Sequence, residues 1–206
     1  MKVLSPPAIA KLVLPENCST WLKTDLTILH WFQGLTFFEI PSHFLHHIIT
    51  DEIFAILMPL IFWTSKPYPA MSVLLIGPLL ELSNAFLKWS FQLPRPFWIT
   101  SPLRNAGKVW EQDYSFPSSH AQVAAGLITA TILYFPELSR LSQSLLVLVA
   151  VLTGFSRVYR GVHFPTCVAT GWTLGVGTAF LMKFLDPVNW FQTLGFEEKL
   201  KLAIAA

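Results

Sequence analysis

The chain has 206 residues, of which 53% are hydrophobic and 13% charged, with a net charge of +2 and a mean hydropathy of +0.52. A soluble domain carries about 25% charge, so the composition excludes a disordered chain, and the near-neutral balance argues against a nucleic-acid binder held by a basic face. The length allows one domain, and the composition points to a polytopic membrane protein.

Residues 1–43 read as an N-terminal segment. The first twenty hold Lys2 and Lys11 but no apolar run followed by a cleavage site, so insertion is expected to rely on internal spans. Over 20–41, Trp21, Trp31, Phe32, Phe37 and Phe38 alternate with Lys23, Asp25, His30 and Gln33. That mixture suits an interfacial or additional N-terminal helix better than a clear crossing one.

Residues 44–189 read as the membrane-embedded core. A spanning helix needs about 20 mostly apolar residues. Five stretches qualify: 44–64, 70–91, 118–135, 141–160 and 165–185. A polar, Pro-rich stretch over 92–117, carrying Arg95, Arg104, Lys108, Glu111 and Asp113, separates the second from the third. The third starts on Pro117-Ser118-Ser119-His120, and the fifth carries Gly171, Gly175 and Gly177, small residues that suit close packing in lipid. Residues 190–206 read as an amphipathic tail, with Trp190 and Phe191 beside Glu197, Glu198, Lys199 and Lys201. The expected fold is therefore all-α: a polytopic membrane helical bundle of five spans plus the N-terminal helix.

Alternating the spans puts the end of the second, the start of the third, the end of the fourth and the start of the fifth on one side. Lys88, Arg95, Ser118, His120, Arg157 and His163 all fall there. Any one of them alone is an interface anchor or a helix cap. Together, several fixed cations call for an anion, and the guanidinium fork suits phosphate. Ser118 and Ser119 begin a helix whose amino end also favours an anion. The two histidines add a nucleophile and a general acid.

Lys88-x6-Arg95-Pro96, then Pro117-Ser118-Ser119-His120, then Ser156-Arg157-x5-His163 resemble the three-part signature of the type 2 phosphatidic-acid phosphatase superfamily. That superfamily includes lipid phosphate phosphatases, glucose-6-phosphatase and vanadium haloperoxidases, and the similarity covers about 80–185. The resemblance implies a metal-independent hydrolase working through a phosphohistidine. His163 would attack phosphorus, and His120 would protonate the leaving oxygen and later help activate water. Lys88, Arg95, Arg157, Ser118 and the Ser119 backbone would hold the phosphoryl oxygens, with no cofactor. The partners it implies are the lipid bilayer and a lipid phosphomonoester or diphosphate substrate, with no nucleic acid.

Two positions depart from the family pattern. Ser119 stands where the second block usually has Gly, a mild change because the backbone N–H survives. Cys167 stands where the third block usually has an Asp that orients and charges the attacking His; without a substitute, the expected loss is about 10²–10⁴ in rate. Asp51, Glu52 and Glu81 are the candidate substitutes, although a structural role suits them too. His43, His46 and His47 are placed in the headgroup region rather than at a metal, and neither Cys18 nor Cys167 belongs to a disulfide or metal motif. The competing expectation is a catalytically weak member that binds phospholipid or a partner protein. The basic residues divide too evenly between the two sides to orient the chain.

Overall fold

The computed structural model describes residues 20–35, 42, 66–100, 103 and 113–195. All the elements formed by these residues are helices: α1 (Thr20–Gln33), α2 (Pro67–Phe91), α3 (Pro96–Ile99), α4 (Ser119–Tyr134), α5 (Arg140–Tyr159), α6 (Pro165–Leu185) and α7 (Pro187–Thr193). Local chemistry sets their ends. Proline opens α2, α3, α6 and α7, where its missing N–H and fixed φ are no handicap. Ser139 caps α5, its hydroxyl accepting from the Ser142 N–H at 3.1 Å. Gln92 closes α2 and Asp186 closes α6, both in the left-handed region.

Among the described residues, three stretches are long and apolar enough to cross a membrane: Pro67–Ile99, Arg140–Tyr159 and Pro165–Thr193. They coincide with the second, fourth and fifth expected spans. The third corresponds to α4, whose 16 helical residues run between the caps Ser118 and Phe135, within one residue of the expected bounds at each end. The first, 44–64, lies outside the described residues, as do Asp51, Glu52, His43, His46, His47 and the tail beyond 195.

Helix α4 is the central element, packed by α2, α5 and α6. Its amino half is rich in small residues, and every residue from Ala121 to Leu127 is buried. Val73, Ile76 and Leu80 of α2 meet Val123, Leu127, Ala130 and Tyr134 of α4 and Ala179 and Met182 of α6 in the main core. Lipid tails are as apolar as these side chains, so close backbone contact and hydrogen bonds must hold the helices together. Both occur here. A Cβ on Gly175 would stand 2.2 Å from the Gln122 carbonyl oxygen, and one on Gly171 would stand 2.7 Å from that of Ser118. Asn84 Nδ2 donates to Gln122 Oε1 at 2.8 Å, and Gln122 Nε2 donates to Ser83 Oγ at 2.9 Å. At the far end, the Tyr68 hydroxyl donates to the Asp186 carboxylate at 2.5 Å, tying α2 to the end of α6.

The N-terminal helix docks on the protein by its Leu22, Asp25, Leu29 and Gln33 face. Leu22 packs with Phe164 and Cys167, and Thr166 donates its hydroxyl to Asp25. Gln33 Nε2 donates to the Tyr159 carbonyl at 3.0 Å. Trp31 on the other face is exposed. α1 thus braces the α5–α6 turn, where Gly161 takes φ +68° and leads the chain to His163.

Candidate active site

Lys88 lies in the last turn of α2, and Arg95 precedes Pro96 at the start of α3. Both side chains are buried, and buried cations require partners. The shared partner is Asp113, whose carboxylate bridges Lys88 Nζ and Arg95 Nη2. Arg95 Nε also donates to the Asp113 main-chain oxygen at 2.8 Å, and Nη1 donates to the Val162 carbonyl at 3.1 Å. Burial works to raise the pKa of Asp113, but Arg95 and Lys88 outweigh it and hold the carboxyl below its ordinary value.

His163, in the turn between α5 and α6, is fully buried. Its Nδ1 stands 2.8 Å from the Ser115 main-chain oxygen, which can only accept, so this nitrogen carries the proton. Nε2 is then the lone-pair nitrogen, and it accepts from Arg95 Nη1 at 3.1 Å. Burial first, then the charges of Arg95, Arg157 and Lys88, push the imidazole pKa well below its ordinary value. The ring is therefore neutral at neutral pH, with its nucleophilic lone pair directed into a cationic pocket.

The third and second blocks meet the same pocket. Arg157 is buried in the last turn of α5. Ser118 is the N-cap of α4; its N–H donates to the Cys167 carbonyl at 3.1 Å, joining the starts of α4 and α6. Ser118 Oγ is buried and has no hydrogen-bond partner among the described residues. A buried unpaired hydroxyl costs about 1–3 kcal/mol, which an anionic oxygen accepting from it would relieve. Ser119 opens α4 and His120 follows, both half-buried at the helix's positive end.

Cys167 is buried in the first turn of α6, with Sγ 3.5 Å from Ser115 Oγ. Among the described residues, the acceptor on His163 Nδ1 is the Ser115 carbonyl; of the expected carboxylates, Asp51 and Glu52 lie outside them. That carbonyl is held in place because the Ser115 N–H donates to the Leu93 carbonyl at 2.8 Å. Glu81 is exposed on α2 and its charge acts on Lys88 rather than on His163. Asp113 and Ser115 are the two site residues that motif reasoning passed over. Both lie just ahead of Pro117, in a stretch read only as polar, and that adjacency was the available signal. Among the described residues, no group of three or more His, Cys, Asp or Glu is placed to hold a metal ion.

Aromatic side chains cluster next to Asp113 and Ser115. The Tyr114 ring meets Trp89 at 6.0 Å and Trp98 at 6.4 Å between centroids, and Phe91 meets Phe116 at 5.0 Å. Trp89 and Phe91 are exposed on the end of α2.

Residues 69–190 match the model of the PAP2 superfamily. Over 148 residues the chain is 35% identical to phosphatidylglycerophosphatase B of Bacillus subtilis, an alignment covering 68% of this chain and 64% of that protein. Over 69 residues it is 41% identical to undecaprenyl-diphosphatase of Sulfolobus acidocaldarius, covering 34% of this chain and 32% of that one. The chain thus spans less than two thirds of the length of these curated relatives. The crystal structure of a transmembrane PAP2-type phosphatidylglycerolphosphate phosphatase from Bacillus subtilis superposes with a TM-score of 0.69 at 25% identity, over 94% of this chain and all of that one. Aquifex aeolicus LpxE shares the fold, with a TM-score of 0.63 at 20% identity over 76% of this chain and 93% of that one.

Proposed function

The chain belongs to the PAP2 superfamily, and from that premise we propose that it is a phosphatase hydrolysing a lipid phosphomonoester or lipid diphosphate at one end of its bundle. It is an integral membrane protein, and two of its apolar spans end in turns that carry Lys88 and Arg157. The observation that carries the proposal is a fully buried His163 whose Nδ1 faces the Ser115 carbonyl and whose Nε2 faces Arg95. Proteins similar to it bear the names phosphatidylglycerophosphatase and undecaprenyl-diphosphatase, which supports a phosphate on a lipid as the substrate. The exposed Trp89 and Phe91 favour the same class, because they give an acyl or prenyl chain an apolar approach from the bilayer.

In the proposed reaction, Lys88, Arg95, Arg157, Ser118 and the amino end of α4 at Ser119 hold the non-bridging oxygens. Arg95 Nη1 turns from Nε2 to the phosphoryl group, freeing the lone pair. Nε2 attacks phosphorus while the bond to the leaving oxygen breaks, and His120 donates a proton to that oxygen. Water then attacks the phosphohistidine, with His120 taking its proton, and inorganic phosphate leaves. Fixed cations stabilise the charge of both transition states. Among the described residues, Cys167 and the Ser115 carbonyl offer His163 neutral groups where the family pattern has a carboxylate, which supports an attenuated enzyme.

Full-length protein in detergent tests this reading. Inorganic phosphate should be released from a panel of lipid phosphates, in the presence of excess chelator, with inhibition by vanadate. His163→Ala should abolish release. A strict metal requirement contradicts the mechanism. Lipid binding without release, unchanged by Cys167→Asp, favours a phospholipid-binding or partner-binding role instead.

A further inference from the structure

We propose that Asp113 is a built-in anion that occupies the phosphate cations in the resting site and must swing away for substrate phosphate to bind. The inference rests on the phosphatase reading above and adds to it a positioning residue that tunes phosphate capture and release.

The geometry separates a fixed main chain from a movable head. The Asp113 main-chain oxygen accepts from Arg95 Nε at 2.8 Å, and two residues on, the Ser115 N–H donates to Leu93 at 2.8 Å. Between them the Tyr114 ring is packed against Trp89 and Trp98. The backbone is therefore held at Asp113 itself and over the two residues that follow it. The carboxylate itself bridges Lys88 and Arg95, yet 54% of the Asp113 side chain is exposed, whereas those of Lys88 and Arg95 are 7% and 1% exposed. Rotation about its side-chain torsions moves the carboxylate into solvent without disturbing the loop.

Displacement follows from charge. Lys88 and Arg95 are the first-block cations assigned to the phosphoryl oxygens, and Asp113 bonds both. A phosphate dianion on the same donors would face a carboxylate at contact distance, a repulsive arrangement in a site of low dielectric. Of the two anions, only the one on the half-exposed side chain has water to move into. The same competition runs in reverse after hydrolysis: as Asp113 returns, it helps expel inorganic phosphate.

Asp113→Asn keeps the shape and removes the competing charge; Asp113→Glu keeps the charge. Binding of inorganic phosphate to the full-length, detergent-solubilised protein is read directly by calorimetry. Separately, KM, kcat and product inhibition are measured with a lipid phosphate. Asp113→Asn should bind phosphate at least about tenfold more tightly, the scale of one charge-assisted hydrogen bond. It should lower KM without raising kcat, and it should be more strongly inhibited by product. Asp113→Glu should stay near wild type in phosphate binding. Unchanged or weaker phosphate binding in Asp113→Asn would overturn the proposal, showing Asp113 to be a permanent scaffold for the two cations. An equal effect of Asp113→Glu would overturn it too. Tighter phosphate binding with no hydrolysis of any lipid phosphate would keep the displacement and sink the phosphatase reading.

Discussion

At the residue scale, the chemistry turns on how His163 is held. Its Nδ1 proton is given to a main-chain carbonyl, and its ring is buried among Arg95, Arg157 and Lys88. Protonating it would place a further cation in a dry cationic pocket. The ring should therefore remain neutral at pH 6 in the folded protein, as read from the nitrogen shifts of isotopically labelled histidine; a resonance titrating near 6.5 and lost in His163→Ala contradicts this. The linkage sign follows. The folded pKa lies below the ordinary value of 6.5, so the unfolded chain binds the proton first as pH falls. This histidine's contribution to stability is complete above 6.5 and is lost progressively below it. Cys167→Asp would offer the ring a carboxylate. Orientation is already supplied by Ser115, so the gain is confined to charge: about tenfold in kcat, the difference between a charged and a neutral acceptor. No gain in kcat would show that the carbonyl alone suffices. Lys88, Arg95 and His163 were legible from motif spacing because side-chain identity carries their chemistry. The acceptor on Nδ1 was not, because every residue has a carbonyl and only the folded chain selects the one at Ser115.

At the scale of elements, the site depends on how closely α4 and α6 approach. Ser118 bonds across to Cys167, and the helices can close on that bond because Gly171 and Gly175 present bare backbone to Ser118 and Gln122. Gly175→Ala should destabilise the protein by about 1–3 kcal/mol, as overpacking does, and lower the thermal midpoint in detergent. Gly177→Ala should not, since nothing lies within 4 Å of a Cβ there. Equal midpoints for the two variants would contradict the packing account. All three glycines were visible in the sequence as one group of small residues. Which of them touch a neighbour depends on helix rotation, and periodicity alone did not separate the buried 171 and 175 from the exposed 177.

At the scale of the whole molecule, the shortage of charge reports two things. It places the chain in a bilayer, and it makes each retained buried cation informative, because Lys88, Arg95 and Arg157 are kept inside an apolar bundle at a considerable desolvation penalty. Span alternation alone put these groups on one side, and the packing of α2, α4, α5 and α6 brings Lys88, Arg95, Ser118 and His163 to the same end. The loop over 92–117 resisted such reading: its Asp113 joins the cations through tertiary contacts with no periodic signature. The central claim is that His163 Nε2 is the nucleophile. It is tested most directly by rapid acid-free quenching of full-length protein turning over a lipid phosphate labelled with radioactive phosphorus, followed by peptide mapping. An alkali-stable, acid-labile label on His163, formed within one turnover and absent from His163→Ala, is the predicted result. Turnover with no such label, or with the label on Ser118 or an aspartate, would contradict it.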